Sequence, residues 1–360
     1  MGADRGGGGE PHRDPEPGGR RPETSPDQLV EDYVASITCN PMGHCRPLWD
    51  LHILNIPTSD AAAVSVLRLH HSLGDGTSLM FLFLACICNA SDPDFSLPTI
   101  PKHYLRLPPA SKMLHAGAFT GLLWLSTSRT SRTPCITVND VLVGVTSAGL
   151  SRYLIRRYVR TCHTDDDDSE KNQLPSNIRL RSTLLVNIRP IPGIHALAEL
   201  TEGRDGETKW GNFIGYIILP SSIMRCKNPL DYIRRAKATA DRKNSLEAIF
   251  TYKGAELIVK CFGIKAAAAL CRRVLSNTAL SISNMIGPVE EIVFYDHPLV
   301  YLALSVFGHP QALTVHFQSY VNTMKIVLTV DEAVIPDPYL LLDGLAESLR
   351  LITTAIPATS

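Results

Sequence analysis

No CxxC pair occurs in the 360 residues of this chain. Its nine cysteines, Cys39, Cys45, Cys86, Cys88, Cys135, Cys162, Cys226, Cys261 and Cys271, are odd in number and irregular in spacing. This excludes the paired ligands of a structural zinc site and the even framework of a small disulfide scaffold. The thiols are read as free, in a reducing compartment, and no metal is expected. Net charge is lacking too, because 35 basic residues balance 35 acidic ones. A nucleic-acid binder usually shows a basic excess, so no nucleic-acid partner is expected. No apolar run reaches the roughly 20 residues that span a bilayer. The two nearest, 79–88 and 116–125, are too short, so any membrane contact is expected to be peripheral. Residues 1–27 are rich in Gly, Pro, Arg and Glu and carry no apolar segment of the signal-peptide kind. A disordered tail is expected there. No internal repeat is visible.

What is present is a mixture of strand and helix patterns. Helical spacing covers 28–38, and a strand is expected over 51–56, ended by Pro57. A clearer strand covers 61–71, where alternation places Ser65, Leu67, Leu69 and His71 on one face and Val64, Val66, Arg68 and His70 on the other. An apolar helix is expected over 77–89, an irregular linker over 91–134, and a long helix over 137–160. Thr137 and Asp140 have the spacing of a capping box at its start. Further strands are expected at 184–188, 211–219, 280–283, 300–307, 312–321 and 324–331, the last two as a hairpin about Asn322. Residues 230–275 read as mostly helical, the acidic run 165–168 as a solvated loop, and a last helix as starting near Pro336. The fold class is therefore α+β, or mixed α/β. The expected division is a partial N-terminal lobe over 28–90, the linker, and a C-terminal lobe over 135–360.

One segment carries chemistry: His70-His71-Ser72-Leu73-Gly74-Asp75-Gly76. Moving an acyl group onto an alcohol requires a base that takes the hydroxyl proton as the oxygen attacks. Imidazole, with an ordinary pKa of ~6.5, suits that task near neutrality. Two adjacent histidines at the end of a strand point in opposite directions, so only one can face a given cavity and joint metal ligation by both is poor. Asp75 can either orient the imidazole or hold the turn through an arginine. Gly76 would allow a turn with positive φ. Taken alone, a histidine at a strand end is usually a packing or surface residue, and Asp-Gly is usually a turn.

The whole pattern HHxxxDG resembles the motif of the coenzyme-A-dependent acyltransferase superfamily. That superfamily includes chloramphenicol acetyltransferase, peptide-synthetase condensation domains and the plant BAHD enzymes. Other segments narrow the resemblance. Pro47-Leu48-Trp49-Asp50 looks like the PLW motif of the wax ester synthase/acyl-CoA:diacylglycerol acyltransferase family, and Thr137-Val138-Asn139-Asp140-Val141-Leu142 looks like its ND motif. Asn187-Ile188-Arg189-Pro190, Gly211-Asn212-Phe213-Ile214-Gly215 and Ser283-Asn284-Met285-Ile286-Gly287-Pro288 follow in the family's order. The DFGWG sequence of the BAHD enzymes is absent. The chain is similar to plant members of the family from about residue 29 to residue 352.

The resemblance implies a two-lobed, chloramphenicol acetyltransferase-like fold with the histidine in a tunnel between lobes. It implies acyl-CoA as co-substrate, no tightly bound cofactor, and a fatty alcohol or a diacylglycerol as acceptor. His71 is implied as general base beside His70, with Asp75 and Gly76 structural, and Asn139 and Asp140 as support for the site. Trp49 is read as a packing residue. The location implied is the endoplasmic reticulum or plasma membrane, peripheral, on the cytosolic face. The segment before PLW and the stretch 91–134 look short for the family. The alternative left open is a shortened, catalytically impaired relative that binds lipid or another protein.

Overall fold

The computed structural model describes residues 25–43, 45–89, 136–162, 178–189, 210–242 and 245–356. The expected linker and acidic loop, and the expected tail up to residue 24, lie outside the described residues; residues 25–27, expected in the tail, instead cap and open the first helix. The chain divides into two compact units, Met1–Arg68 and Leu69–Ser360. The motif HHxxxDG thus falls in the larger unit.

The described part of the first unit is one helix and two strands: α1 (Pro26–Thr38), β1 (Trp49–Leu54) and β2 (Val64–Leu69). Ser25 caps α1 by accepting from Gln28 N, and Pro26 occupies the first turn, where a missing N–H costs nothing. Asp50 ties these pieces together. It accepts from Arg68 Nε at 3.0 Å and Nη2 at 2.6 Å, and lies 3.0 Å from His52 Nε2. The Arg68 guanidinium, chiefly through hydrogen bonds, holds the Asp50 carboxyl below the usual carboxylate range. Arg68 also donates to the carbonyls of Ile37 and Asn40 at the end of α1. The ordering residue of the PLW segment is therefore Asp50. Trp49, read from the sequence as packing, is 54% exposed.

The second unit is built on a five-stranded sheet in the order β10-β9-β6-β4-β5. Its strands are β4 (Arg179–Asn187), β5 (Ile214–Ser222), β6 (Leu280–Met285), β9 (Leu313–Tyr320) and β10 (Thr323–Val330). The pairs β4–β6 and β6–β9 are parallel; β4–β5 and β9–β10 are antiparallel. A small sheet joins β3 (Cys88–Asn89), β7 (Ile292–Phe294) and β8 (His297–Pro298). The helices are α2 (Gly76–Ala85), α3 (Val138–Cys162), α4 (Leu230–Arg242), α5 (Ser245–Phe262), α6 (Ile264–Leu275) and α7 (Pro338–Thr354).

One face of the large sheet makes the core. Leu184, Ile282, Leu280, Val315, Phe317 and Leu313 pack against Leu142, Leu150, Tyr153 and Leu341 of α3 and α7. Removing that much apolar surface from water is the main favourable contribution to folding. The helices α3 and α7 cross where neither has a side chain. A Cβ on Gly149 would stand 2.5 Å from Leu345 Cδ2, and one on Gly344 would stand 3.1 Å from the Gly149 carbonyl oxygen. On the same face, Gly215, in register with Val186, lets β5 lie against α5, because a Cβ there would meet the Ala248 carbonyl oxygen at 2.0 Å.

Several expectations change. The strand of the HHxxxDG segment stops at Leu69, short of both histidines. The apolar helix after it ends at Ala85 instead of Asn89, and Cys88–Asn89 joins the small sheet. Residues 300–307 form no strand. The stretch meets β10 through side chains instead: Ser305 Oγ lies 2.9 Å from Thr329 Oγ1, and Lys325 lies over the Tyr301 ring. The last helix begins at Pro338.

Candidate active site

HHxxxDG forms the turn that opens α2. Asp75 is its N-cap and accepts from Ser78 N at 2.9 Å through Oδ1. The other oxygen, Oδ2, accepts from Arg189 Nη1 at 2.7 Å and from Phe213 N at 2.9 Å. Asp75 is fully buried and the Arg189 side chain is 5% exposed. A buried carboxylate requires a paired cation and full hydrogen bonding, and here it has both. Of the two roles open to Asp75, orienting an imidazole or holding the turn through an arginine, the contact present is with arginine.

Arg189 extends the clamp. It donates to Ser78 Oγ at 2.8 Å and to the Gly211 carbonyl, and its guanidinium stands 5.2 Å from the Phe213 ring centre. Gly211 has φ of +114°, a conformation that favours glycine, and this turn sends its carbonyl toward Arg189 and Ser78. The loop ahead of β5 then fastens the histidine turn from outside. Trp210 Nε1 donates to the Leu73 carbonyl at 2.8 Å, and Asn212 Nδ2 donates to the His71 carbonyl at 3.1 Å. Asn187 Nδ2 reaches Thr77 Oγ1 at 3.3 Å.

The two histidines are separated by local bonding, because both lie past the end of β2 and strand alternation does not reach them. His70 Nδ1 sits 2.7 Å from Ser72 Oγ and accepts from Ser72 N at 3.2 Å, so this ring is turned back on its own loop. The His71 ring is exposed and makes no hydrogen bond among the described residues. Gly76 differs from expectation as well. It is not among the residues of positive φ and begins a helix. What it supplies is room: a Cβ there would stand 2.4 Å from Met285 Cε.

Asn139 and Asp140 sit at the start of α3. The Asp140 carboxylate accepts from Thr137 N at 2.7 Å while Thr137 Oγ1 accepts from Asp140 N at 3.2 Å, which is the reciprocal capping pattern. Asn139 Oδ1 accepts from Asn284 Nδ2 of β6 at 3.0 Å. The ND and SNMIGP segments therefore touch each other, and Met285, the next residue, touches the HHxxxDG turn.

Two histidines that carry no motif stand behind this turn. Burial, and then the neighbouring His71, holds His309 below the usual histidine value. Burial, and then His309, holds His316 down to about 4. Both are neutral at physiological pH. No sequence signal marked them: His316 lies inside an apolar strand, where a histidine reads as packing, and His309 lies in an irregular stretch. Among the described residues, no group of three or more His, Cys, Asp or Glu is placed to hold a metal ion.

Comparison with known proteins is consistent with this convergence. Residues 210–353 match the family described as the WS/DGAT C-terminal domain. The chain is 40% identical to wax ester synthase/diacylglycerol acyltransferase 11 of Arabidopsis thaliana, over 92% of this chain and 78% of that protein. It is 42% identical to wax ester synthase/diacylglycerol acyltransferase 6 of the same plant, over 92% of this chain and 76% of that protein. In fold it is similar to the wax ester synthase/diacylglycerol acyltransferase from Marinobacter aquaeolei VT8, with a TM-score of 0.51 at 16% identity, over 93% of this chain and 78% of that one. Carrying the motifs in order, the buried Asp75–Arg189 clamp beneath them, and this identity over most of its length, the chain is an acyltransferase and belongs to the wax ester synthase/diacylglycerol acyltransferase family.

Proposed function

We propose that this chain moves a long-chain acyl group from acyl-CoA to the hydroxyl of a fatty alcohol or a diacylglycerol, with His71 as the general base. The observation that carries the assignment of the base is the difference between the two rings. Both are exposed, but His70 is bound to Ser72, whereas the His71 ring makes no hydrogen bond among the described residues and its backbone is held by Asn212. In the reaction His71 accepts the hydroxyl proton as the oxygen attacks the thioester carbonyl. The C–S bond then breaks, and the imidazolium returns the proton to the departing thiolate. Atoms and charge balance with no covalent acyl-enzyme. Asp75 is already filled by Arg189, Ser78 and Phe213, so its part is to fix the turn that presents His71.

The test uses the purified 360-residue chain with palmitoyl-CoA and either hexadecanol or dioleoylglycerol. Loss of a general base costs typically 10²–10⁴-fold. His71→Ala is expected to fall by that much while His70→Ala falls far less. Wild-type turnover by His71→Ala would end the assignment.

The reading extends to location. Both acceptors reside in membranes, so the enzyme works at a membrane surface, peripherally, on the cytosolic face of the endoplasmic reticulum or plasma membrane. No helix among the described residues is long and apolar enough to cross a membrane. Supporting peripheral contact, Phe250, Leu257, Phe262 and Ile264 of α5 and α6 are each 61–76% exposed. Residues 245–275 carry five basic residues against two acidic ones, a balance suited to anionic headgroups. Co-sedimentation with phosphatidylcholine/phosphatidylserine vesicles is expected to drop sharply in Phe262→Asp/Ile264→Asp. Unchanged sedimentation would remove this patch from the account.

A further inference from the structure

The large sheet has a second face, and its buried residues are polar. Along β9, Leu313, Val315 and Phe317 enter the apolar core, while Thr314, His316 and Gln318 alternate with them and are buried to 2% exposure or less. The parallel register with β6 sets Ser281 beside Thr314, Ser283 beside His316 and Met285 beside Gln318. Met285 shows where this face looks, because its Cε crowds Gly76 of the HHxxxDG turn. His309 stands between, within electrostatic reach of both His71 and His316.

These groups lack partners. Both ring nitrogens of His316, Nδ1 of His309 and Oε1 of Gln318 are buried with no hydrogen bond among the described residues. Buried polar atoms in folded proteins are nearly always paired, and a cluster of exceptions points to a missing ligand or water. The cluster consists of imidazoles and an amide, which offer donors and acceptors without a carboxylate. The nearby cation, Lys325, already lies over the Tyr301 ring at 4.5 Å. Such a set suits uncharged oxygens and not a phosphate. Of the two acceptors, a fatty alcohol brings only its reacting hydroxyl, whereas a diacylglycerol brings two esters beside it.

We infer that His316 and Gln318, with His309 between them and His71, form a subsite for the ester oxygens of a diacylglycerol, so that this chain prefers a diacylglycerol to a fatty alcohol. The inference rests on the acyl-transfer reading above and adds acceptor choice to it. A site built to hydrogen-bond a substrate disfavours the analogue lacking those groups, since its own polar atoms are then left bare.

The experiment measures kcat/KM for dioleoylglycerol and for hexadecanol, with palmitoyl-CoA, on the full chain and on Gln318→Met and His316→Phe. Wild type is expected to favour dioleoylglycerol, and each substitution to lower the ratio of the two values by about fivefold to tenfold, the worth of one hydrogen bond. If His316→Phe does not fold, Gln318→Met, closest in shape, decides. An unchanged ratio overturns the inference and assigns the buried polar cluster to ordered water. A matching rise in KM for palmitoyl-CoA with either acceptor also overturns it, by placing the amides of coenzyme A there. Thermal shifts with dioctanoylglycerol and decanol separate this outcome from the acyl-transfer reading. Stabilisation by dioctanoylglycerol that depends on Gln318, in a chain that turns over neither acceptor, sustains the subsite and ends the reading. Equal shifts in all three proteins, beside normal turnover, end the subsite and leave the reading standing.

Discussion

Replacing Asp75 by Asn changes one atom of the side chain and removes its charge, which makes it the sharpest probe of the clamp. Oδ1 accepts from Ser78 N, and Oδ2 accepts from both Arg189 Nη1 and Phe213 N. An asparagine has one accepting oxygen. Whichever way the amide is placed, its NH₂ faces an N–H donor, and Arg189 loses the partner of its buried charge. Breaking a buried ion pair by removing one partner costs about 3–5 kcal/mol. With a urea dependence of about 3 kcal/mol per M for a large domain, the unfolding midpoint should fall by at least about 1 M. The assay is urea unfolding followed by circular dichroism, alongside activity at a temperature where the variant remains folded. Arg189→Met should cost a similar amount. The double variant should cost less than the two singles together by more than about 1 kcal/mol, because each single leaves the same interaction broken. The reasoning is refuted if Asp75→Asn unfolds within about 0.5 kcal/mol of wild type yet loses its activity. Asp75 would then act on the reaction itself and not on the turn.

Other expectations follow from the same structure. Gly215→Ala puts a methyl 2.0 Å from the Ala248 carbonyl oxygen, so α5 must move off β5, and a loss of about 1–3 kcal/mol should appear in the same unfolding assay. Asp140→Ala removes half of a capping box whose bonds are 2.7 Å and 3.2 Å long, and should cost about 1 kcal/mol, with Asp140→Asn intermediate. His316, with its folded pKa at about 4 against ~6.5 unfolded, makes stability depend on acid. Between those values the unfolded chain binds more protons, so stability falls as pH drops through the window, by about 3 kcal/mol once below it. His309 adds to the loss in the same direction. Unfolding curves collected from pH 7 to pH 4 should show this fall, and His316→Phe should flatten most of it.

The helices and the larger strands were legible in the sequence because their patterns come from burial on a single face. The hairpin of β9 and β10 and the capping of α3 by Thr137 and Asp140 are of this kind. Residues 300–307 were misread as a strand because alternating apolar side chains mark a half-buried segment whether or not its backbone pairs. The chemistry of HHxxxDG was legible as a motif, but its geometry was not. Strand alternation cannot separate His70 from His71 when β2 stops at Leu69; Ser72 and Asn212 do so instead. Arg189 was visible only as part of a motif, since its partner Asp75 is 114 residues away and no local spacing records that distance. His309 and His316 were silent for the same reason. A lone histidine among apolar residues acquires meaning only when the fold sets others beside it.

The two faces of β9 also bear on how such an enzyme can diversify. Substitutions at Leu313, Val315 or Phe317 disturb the core that holds the sheet to α3 and α7. Thr314, His316 and Gln318, one residue over in each case, point to the opposite face. A strand of eight residues thus sets the apolar core and the proposed acceptor groups on alternate positions of one sequence. Directed evolution for a new acyl acceptor can randomise the even positions of β9, with Ser281 and Ser283 beside them, and leave the odd ones alone.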